Sequence, residues 1–140
     1  MVLISLNNLA RLFMEERKYK QAEMLLRESL AGWEETAPDK MSRPTEAQYW
    51  RWKRYHTQSL LGASLTGQMN YGEAEALLLS GYEGLLRERN APNPRVSSDD
   101  VEQAAVCVVR LYQEWGKPEQ AAAWTLKLQE IKPSVTPKNP

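Results

Sequence analysis

Residues 57–85 read TQSLLGASLTGQMNYGEAEALLLSGYEGL. Leucines and alanines fall at the steps of three and four that mark two amphipathic helices, yet Gly62, Gly67, Gly72, Gly81 and Gly84 lie in or beside them. A glycine inside a helix costs about 1 kcal/mol relative to alanine, so a packing gain has to offset the loss. Helices that cross closely supply one, because a residue without a side chain lets two backbones approach.

The same spacing returns twice more along the chain. Ala22, Leu25, Leu26, Ser29, Leu30 and Trp33 are matched step for step by Ala74, Leu77, Leu78, Gly81, Tyr82 and Leu85, and in part by Ala121, Trp124, Thr125 and Leu128. Each of these helices follows another with its own recurring set: Leu6, Leu9, Ala10 and Phe13, then Gln58, Leu61, Gly62 and Leu65, then Ala105, Val108, Val109 and Tyr112. Three helical hairpins result. Arg17-Lys18, Met69-Asn70 and Gly116-Lys117 fall in the turns inside them. Asn70 with Glu73 three residues on predicts a capping box, and Pro118 suits a first helical position. Longer connectors, residues 36–47 and 90–100, separate the hairpins, and Ser97 or Ser98 is placed to cap the fifth helix.

These recurring positions resemble the tetratricopeptide repeat (TPR), with a large residue, L-G and an aromatic on the first helix and A-x3-F on the second. Leu61-Gly62, Leu65, Ala74 and Leu78 fit it, as do Leu9-Ala10, Phe13, Ala22 and Leu26, while Val109 and Thr125 make the third copy weaker. In that family the small positions lie at helix crossings, which assigns Gly62, Ala74 and Gly81 to such places. The anchors Ala22, Ala74 and Ala121 set periods of 52 and 47 residues, longer than the basic repeat of about 34. The excess falls in the connectors. SLNNLARLFMEERKYKQAEMLLRESLA, residues 5–31, is similar to the longer repeats of kinesin light chains. The second repeat and RLYQEWGKPEQAAAW resemble the arrays at the C-terminus of bacterial serine/threonine protein kinases. Neither a glycine-rich phosphate loop nor an HRD or DFG triplet is present, so the resemblance implies a detached regulatory tail, not a kinase.

The expected fold is therefore all-α: a right-handed α-solenoid of three TPR-like hairpins with long connectors. One domain covers residues 1–131, with repeats at about 2–36, 44–90 and 97–131, and residues 132–140 form a disordered tail. A chain of 140 residues with 42% hydrophobic and 26% charged content suits one such globule. Eighteen basic residues balance eighteen acidic ones, so no net charge draws the molecule towards nucleic acid or an acidic membrane. One cysteine and one histidine leave neither a disulfide framework nor a zinc cluster, and no metal or cofactor is expected. The opening MVLISLNNLARLF lacks a basic n-region, and no apolar run reaches the roughly 20 residues that span a bilayer. A cytoplasmic protein is expected.

The segment YWRWKRYH, residues 49–56, places aromatics on two faces of one helix. They either pack on their own and the preceding hairpin, with Arg51, Lys53 and Arg54 as flanking charges, or form a ligand platform. The family resemblance implies that first helices line a concave groove. Its positions map to Asn7, Arg11 and Met14, then His56, Ser59 and Ala63, then Gln103, Val106, Arg110 and Gln113, with Trp52 one turn before His56. Of these, Asn7, Arg11, Trp52, His56, Ser59, Gln103, Arg110 and Gln113 are the candidate partner-binding residues, suited to an extended peptide that carries carboxylates. Gln103 and Cys107 stand where chaperone-binding domains of this kind keep cations, so a chaperone tail is not the expected ligand. From residue 40 to 56 five basic residues face one acidic, a modest excess that makes a nucleic-acid-binding helical repeat the weaker alternative.

Cys107 lies in the apolar run AAVCVVRLY and reads as a buried hydrophobe, and no acid, base and nucleophile share a pattern. Catalysis is not expected. The function implied is a protein-interaction scaffold. A structural self-association unit is the alternative, because Leu3, Ile4 and the outer face of the last hairpin lack a covering repeat and suit a homo-oligomer.

Overall fold

The computed structural model describes residues 2–35, 43–92, 94 and 96–131, and of residues 2–4, 44 and 45 it describes the backbone alone. Six helices fill it: α1 (Val2–Glu15), α2 (Tyr19–Glu35), α3 (Pro44–Gly67), α4 (Tyr71–Arg89), α5 (Ser98–Trp115) and α6 (Pro118–Ile131). No strand occurs among the described residues. The expectations for the tail 132–140 and for the exposure of Leu3 and Ile4 lie outside the described residues.

Consecutive helices pack as hairpins, α1 on α2, α3 on α4 and α5 on α6, and each new first helix lies against both members of the hairpin before it. First helices touch one another along the array, α1 with α3 and α3 with α5. Among the described residues second helices do not approach backbone to backbone, and long side chains bridge them instead. Arg27 donates to Glu73 at 2.9 Å across α2 and α4, and Tyr82 meets Trp124 edge-on at 4.8 Å across α4 and α6. This difference between the two layers curves the stack and puts α1, α3 and α5 on its inner side. The array is an all-α helical-repeat solenoid.

The glycines answer the question their positions raise. A Cβ on Gly62 would lie 2.6 Å from Leu78 Cγ and 3.2 Å from the Ala74 carbonyl oxygen, and one on Gly81 would lie 3.0 Å from the Tyr55 carbonyl. The Tyr55 ring covers Gly84, and the Tyr19 ring covers Gly67 with atoms 2.6 Å from where a Cβ would stand. Gly62, Gly81 and Gly84 thus bring α3 and α4 together, and Gly67 brings α3 onto α2. Gly72 has nothing within 4 Å and serves no crossing. In the third hairpin Thr125 occupies the place held by the fully buried Leu26 and Leu78, and its hydroxyl donates back to the Ala121 carbonyl at 2.8 Å.

The three hairpin turns share one geometry. Arg17, Met69 and Gly116 all take left-handed backbone, at φ 62°, 64° and 78°. The next amide then reaches back five residues: Lys18 to Phe13, Asn70 to Leu65 and Lys117 to Tyr112, at 2.8–2.9 Å. The left-handed residue bonds three back, Arg17 to Met14, Met69 to Thr66 and Gly116 to Gln113. These are Schellman turns, which use up carbonyls that the helix end leaves free. They end α1 at Glu15.

They also exclude the capping box expected at Asn70. Its backbone N–H is already committed to Leu65, so Glu73 meets the Asn70 side-chain amide at 3.2 Å instead. Ser97 caps α5 in the full reciprocal manner with Asp100.

Two measurements check this account. Gly62→Ala is expected to destabilise the protein by about 1–3 kcal/mol through overpacking against Leu78, whereas Gly72→Ala, in open space, should stabilise it by up to about 1 kcal/mol. Equal effects in urea titrations would remove the crossing argument. Met69→Gly should add about 0.5–1 kcal/mol by relieving left-handed backbone at an exposed turn, and any loss of stability there would contradict it.

Candidate functional site: the inner groove

Helices α1, α3 and α5 enclose a groove of about 400 Å³. Arg11, Met14 and Glu15 come from α1, His56, Ser59 and Leu60 from α3, and Asp100, Gln103, Ala104, Cys107 and Arg110 from α5, with Leu85 of α4 completing the lining. The volume falls in the range of small-ligand and peptide subsites. Buried Ser59 marks the floor, and exposed Arg11 and Arg110 stand on opposite walls.

Five of the eight residues singled out by sequence, Arg11, His56, Ser59, Gln103 and Arg110, meet in this groove. Three do not line it. Asn7 is buried and donates its amide to Thr57 Oγ1 at 2.9 Å, which makes it a joint between α1 and α3. Trp52 lies edge-on to Tyr49 at 5.5 Å and packs on a second apolar cluster around Tyr82, Leu85 and Val101. Gln113 is exposed on α5, almost one turn beyond Arg110.

The aromatic segment packs on its own and the preceding hairpin. The Trp50 indole donates to the Trp33 carbonyl, Tyr49 lies edge-on to Trp33 at 6.3 Å, and Tyr55 covers Gly84. Its cations are engaged internally. Arg51 pairs with Glu88 at 2.8 Å, Lys53 lies 4.6 Å from the Trp52 ring centre, and Arg54 sits over Trp50 and Tyr55.

His56 is held neutral. Burial, then the positive charges of Lys53 and Arg11, push its imidazole down to about 4, with Asp100 opposing them. Its Nδ1 is buried and has no hydrogen-bond partner. Cys107, expected as a buried hydrophobe, is half-buried and reaches the groove wall. Burial pushes its thiol up, against weaker pulls from Arg110 and Ser59, so it stays protonated and is a poor nucleophile.

Sequence reasoning missed Glu15 and Asp100, although Glu15 follows Arg11 by four residues and Asp100 precedes Gln103 by three, which is the spacing of one helix face. Among the described residues no three His, Cys, Asp or Glu side chains cluster to hold a metal ion, and no helix is long and apolar enough to cross a membrane.

The geometry defines the class: a helical-repeat array with an open groove along its first helices. Residues 2–39, which contain α1 and α2, match the tetratricopeptide repeat family model. No curated protein and no solved structure matches the chain.

The neutral imidazole makes stability depend on pH. The unfolded chain takes up a proton near the ordinary 6.5 while the folded one resists until about 4, so stability present above 6.5 is lost as pH falls through that window. Between pH 7 and pH 4 the wild type should lose about 2–3 kcal/mol more than His56→Gln in urea titrations. Parallel profiles would show that the folded state does not hold the imidazole neutral.

Proposed function

We propose that the chain is a protein-interaction scaffold that holds an extended carboxylate-bearing segment of a partner protein in the groove between α1 and α5. One observation carries this reading. Arg11 and Arg110 face the groove from its two walls, and neither makes a salt bridge among the described residues. A guanidinium at an open groove binds a carboxylate through paired charge-assisted hydrogen bonds. Glu15 and Asp100 share the lining, which favours an occupant of mixed charge, such as a peptide with both acidic groups and amide donors. A polyanion would meet two carboxylates there. The Ser59 and Gln103 side chains supply further polar groups in the lining.

The match of the first hairpin to the tetratricopeptide repeat supports protein binding as the class of activity. The resemblance of the later repeats to kinase-associated arrays supports a regulatory setting in the bacterial cytoplasm, beside a serine/threonine kinase. A kinase reading frame adjoining the gene is the expected genomic context, and its absence would remove that part of the reading.

The groove is tested with an array of acidic peptides, the tightest of which is carried into fluorescence anisotropy. Arg11→Ala and Arg110→Ala should each weaken binding about tenfold or more, as the loss of a charge-assisted hydrogen bond implies. Both arginines are exposed, so the thermal midpoint should stay within a degree or two. Converting the peptide carboxylate to an amide should reproduce the loss. Unchanged affinity in both arginine variants would rule the groove out as the binding site.

A further inference from the structure

We propose that the chain stacks head to tail with a second copy of itself, the α1 face carrying Leu9 and Leu12 seating on the α6 face carrying Ala122 and Leu126 of the next molecule. The internal repeat shows what each face is built to meet. Leu9 corresponds to Leu61 and Val108, which are 1% and 0% exposed, and Leu12 to Ser64 and Leu111, both 0% exposed. In α1 the same two places are 44% and 55% exposed. The three hairpins share one fold, and what α1 lacks among the described residues is a hairpin packed ahead of it, as α1–α2 is ahead of α3 and α3–α4 ahead of α5.

The opposite end is the complement. Leu126 corresponds to Leu79, which is half-buried against the main core, yet Leu126 is 62% exposed. Ala122 corresponds to Glu75, which accepts the Tyr112 hydroxyl of the following hairpin at 2.7 Å. In the first hairpin the same two places are Glu23, which accepts from Gln68 just past α3, and Arg27, which bridges to Glu73 of α4; the α6 face is therefore the one that the following hairpin meets inside the array, and Ala122 presents no charge there.

The chain makes this front-to-back interface twice within itself, between its first and second hairpins and between its second and third. A second copy continues the same interface with the two halves left over. Because the front of one molecule meets the back of the next, the contact is heterologous and leaves a free end at each side, so association grows with concentration and does not stop at a dimer.

Sedimentation velocity and light scattering on the full 140-residue chain test this from micromolar to several hundred micromolar. The wild type should gain mass continuously with concentration. Leu12→Arg and Leu126→Arg should each remain monomeric alone, and an equimolar mixture should give a 1:1 dimer and nothing larger, since each variant keeps the end that the other has lost. Circular dichroism verifies that both are folded, and Leu12→Gln or Leu126→Gln carries the same test if either arginine variant unfolds. A wild type that stays monomeric throughout overturns the proposal. So does a Leu126→Arg variant that still dimerises, which would mean front-to-front pairing, and so does a mixture that remains monomeric.

Discussion

At the crossing of α3 and α4, the backbones approach because Gly62, Ala74, Gly81 and Gly84 put almost nothing between them, and the rest of the architecture depends on that contact. Leu78 fills the space a Cβ on Gly62 would need, and the Tyr55 ring fills the space at Gly84. Each glycine in a helix interior gives up about 1 kcal/mol of intrinsic propensity, and the offset comes from leucine and tyrosine side chains packed directly onto backbone. The crossing also fixes the direction of α3, the helix that touches α1, α2, α4 and α5. A shift of α3 would move every hairpin boundary together.

The groove follows from the same placement. With first helices in mutual contact and second helices joined only through long side chains, the inner layer is shorter than the outer one, and the polar edges of α1, α3 and α5 converge. Convergence brings Arg11 and Lys53 close enough to His56 to act on its charge, and burial does more still, so the imidazole remains neutral. The groove holds its positive charge on the Arg11 and Arg110 guanidinium groups, beside a neutral ring whose Nδ1 is buried.

The repeat was legible because it rests on side-chain spacing, which survives in the sequence whatever the turns do. The left-handed turns were less so. Gly116 announces one, but Arg17 and Met69 carry side chains that ordinarily avoid that backbone, and their positive φ comes from the surrounding hydrogen bonds. The capping box at Asn70 was misread for a related reason: a sequence pattern does not show that a backbone N–H has already been taken by the preceding helix. In the groove, the family resemblance pointed to Arg11, His56 and Arg110, whereas Glu15 and Asp100, one helix turn from Arg11 and Gln103, were not picked out. Cys107 does pack on the main core, as its apolar run implies, and only its outer edge reaches the groove.

In an array where each hairpin contacts only its neighbours, stability is a sum of local terms, and a middle unit gains from both sides. The second hairpin has this position and also glycines at the crossing on both of its helices. Its α3 supplies the groove floor through Ser59 and Leu60, while the walls bearing Arg11 and Arg110 belong to the first and last hairpins. The floor is thus set by the most constrained element and the two cations by elements with one neighbour each. Because Arg11 of the first hairpin and Asp100 of the third both act on His56, the charge environment of the central imidazole depends on how the outer hairpins seat against α3.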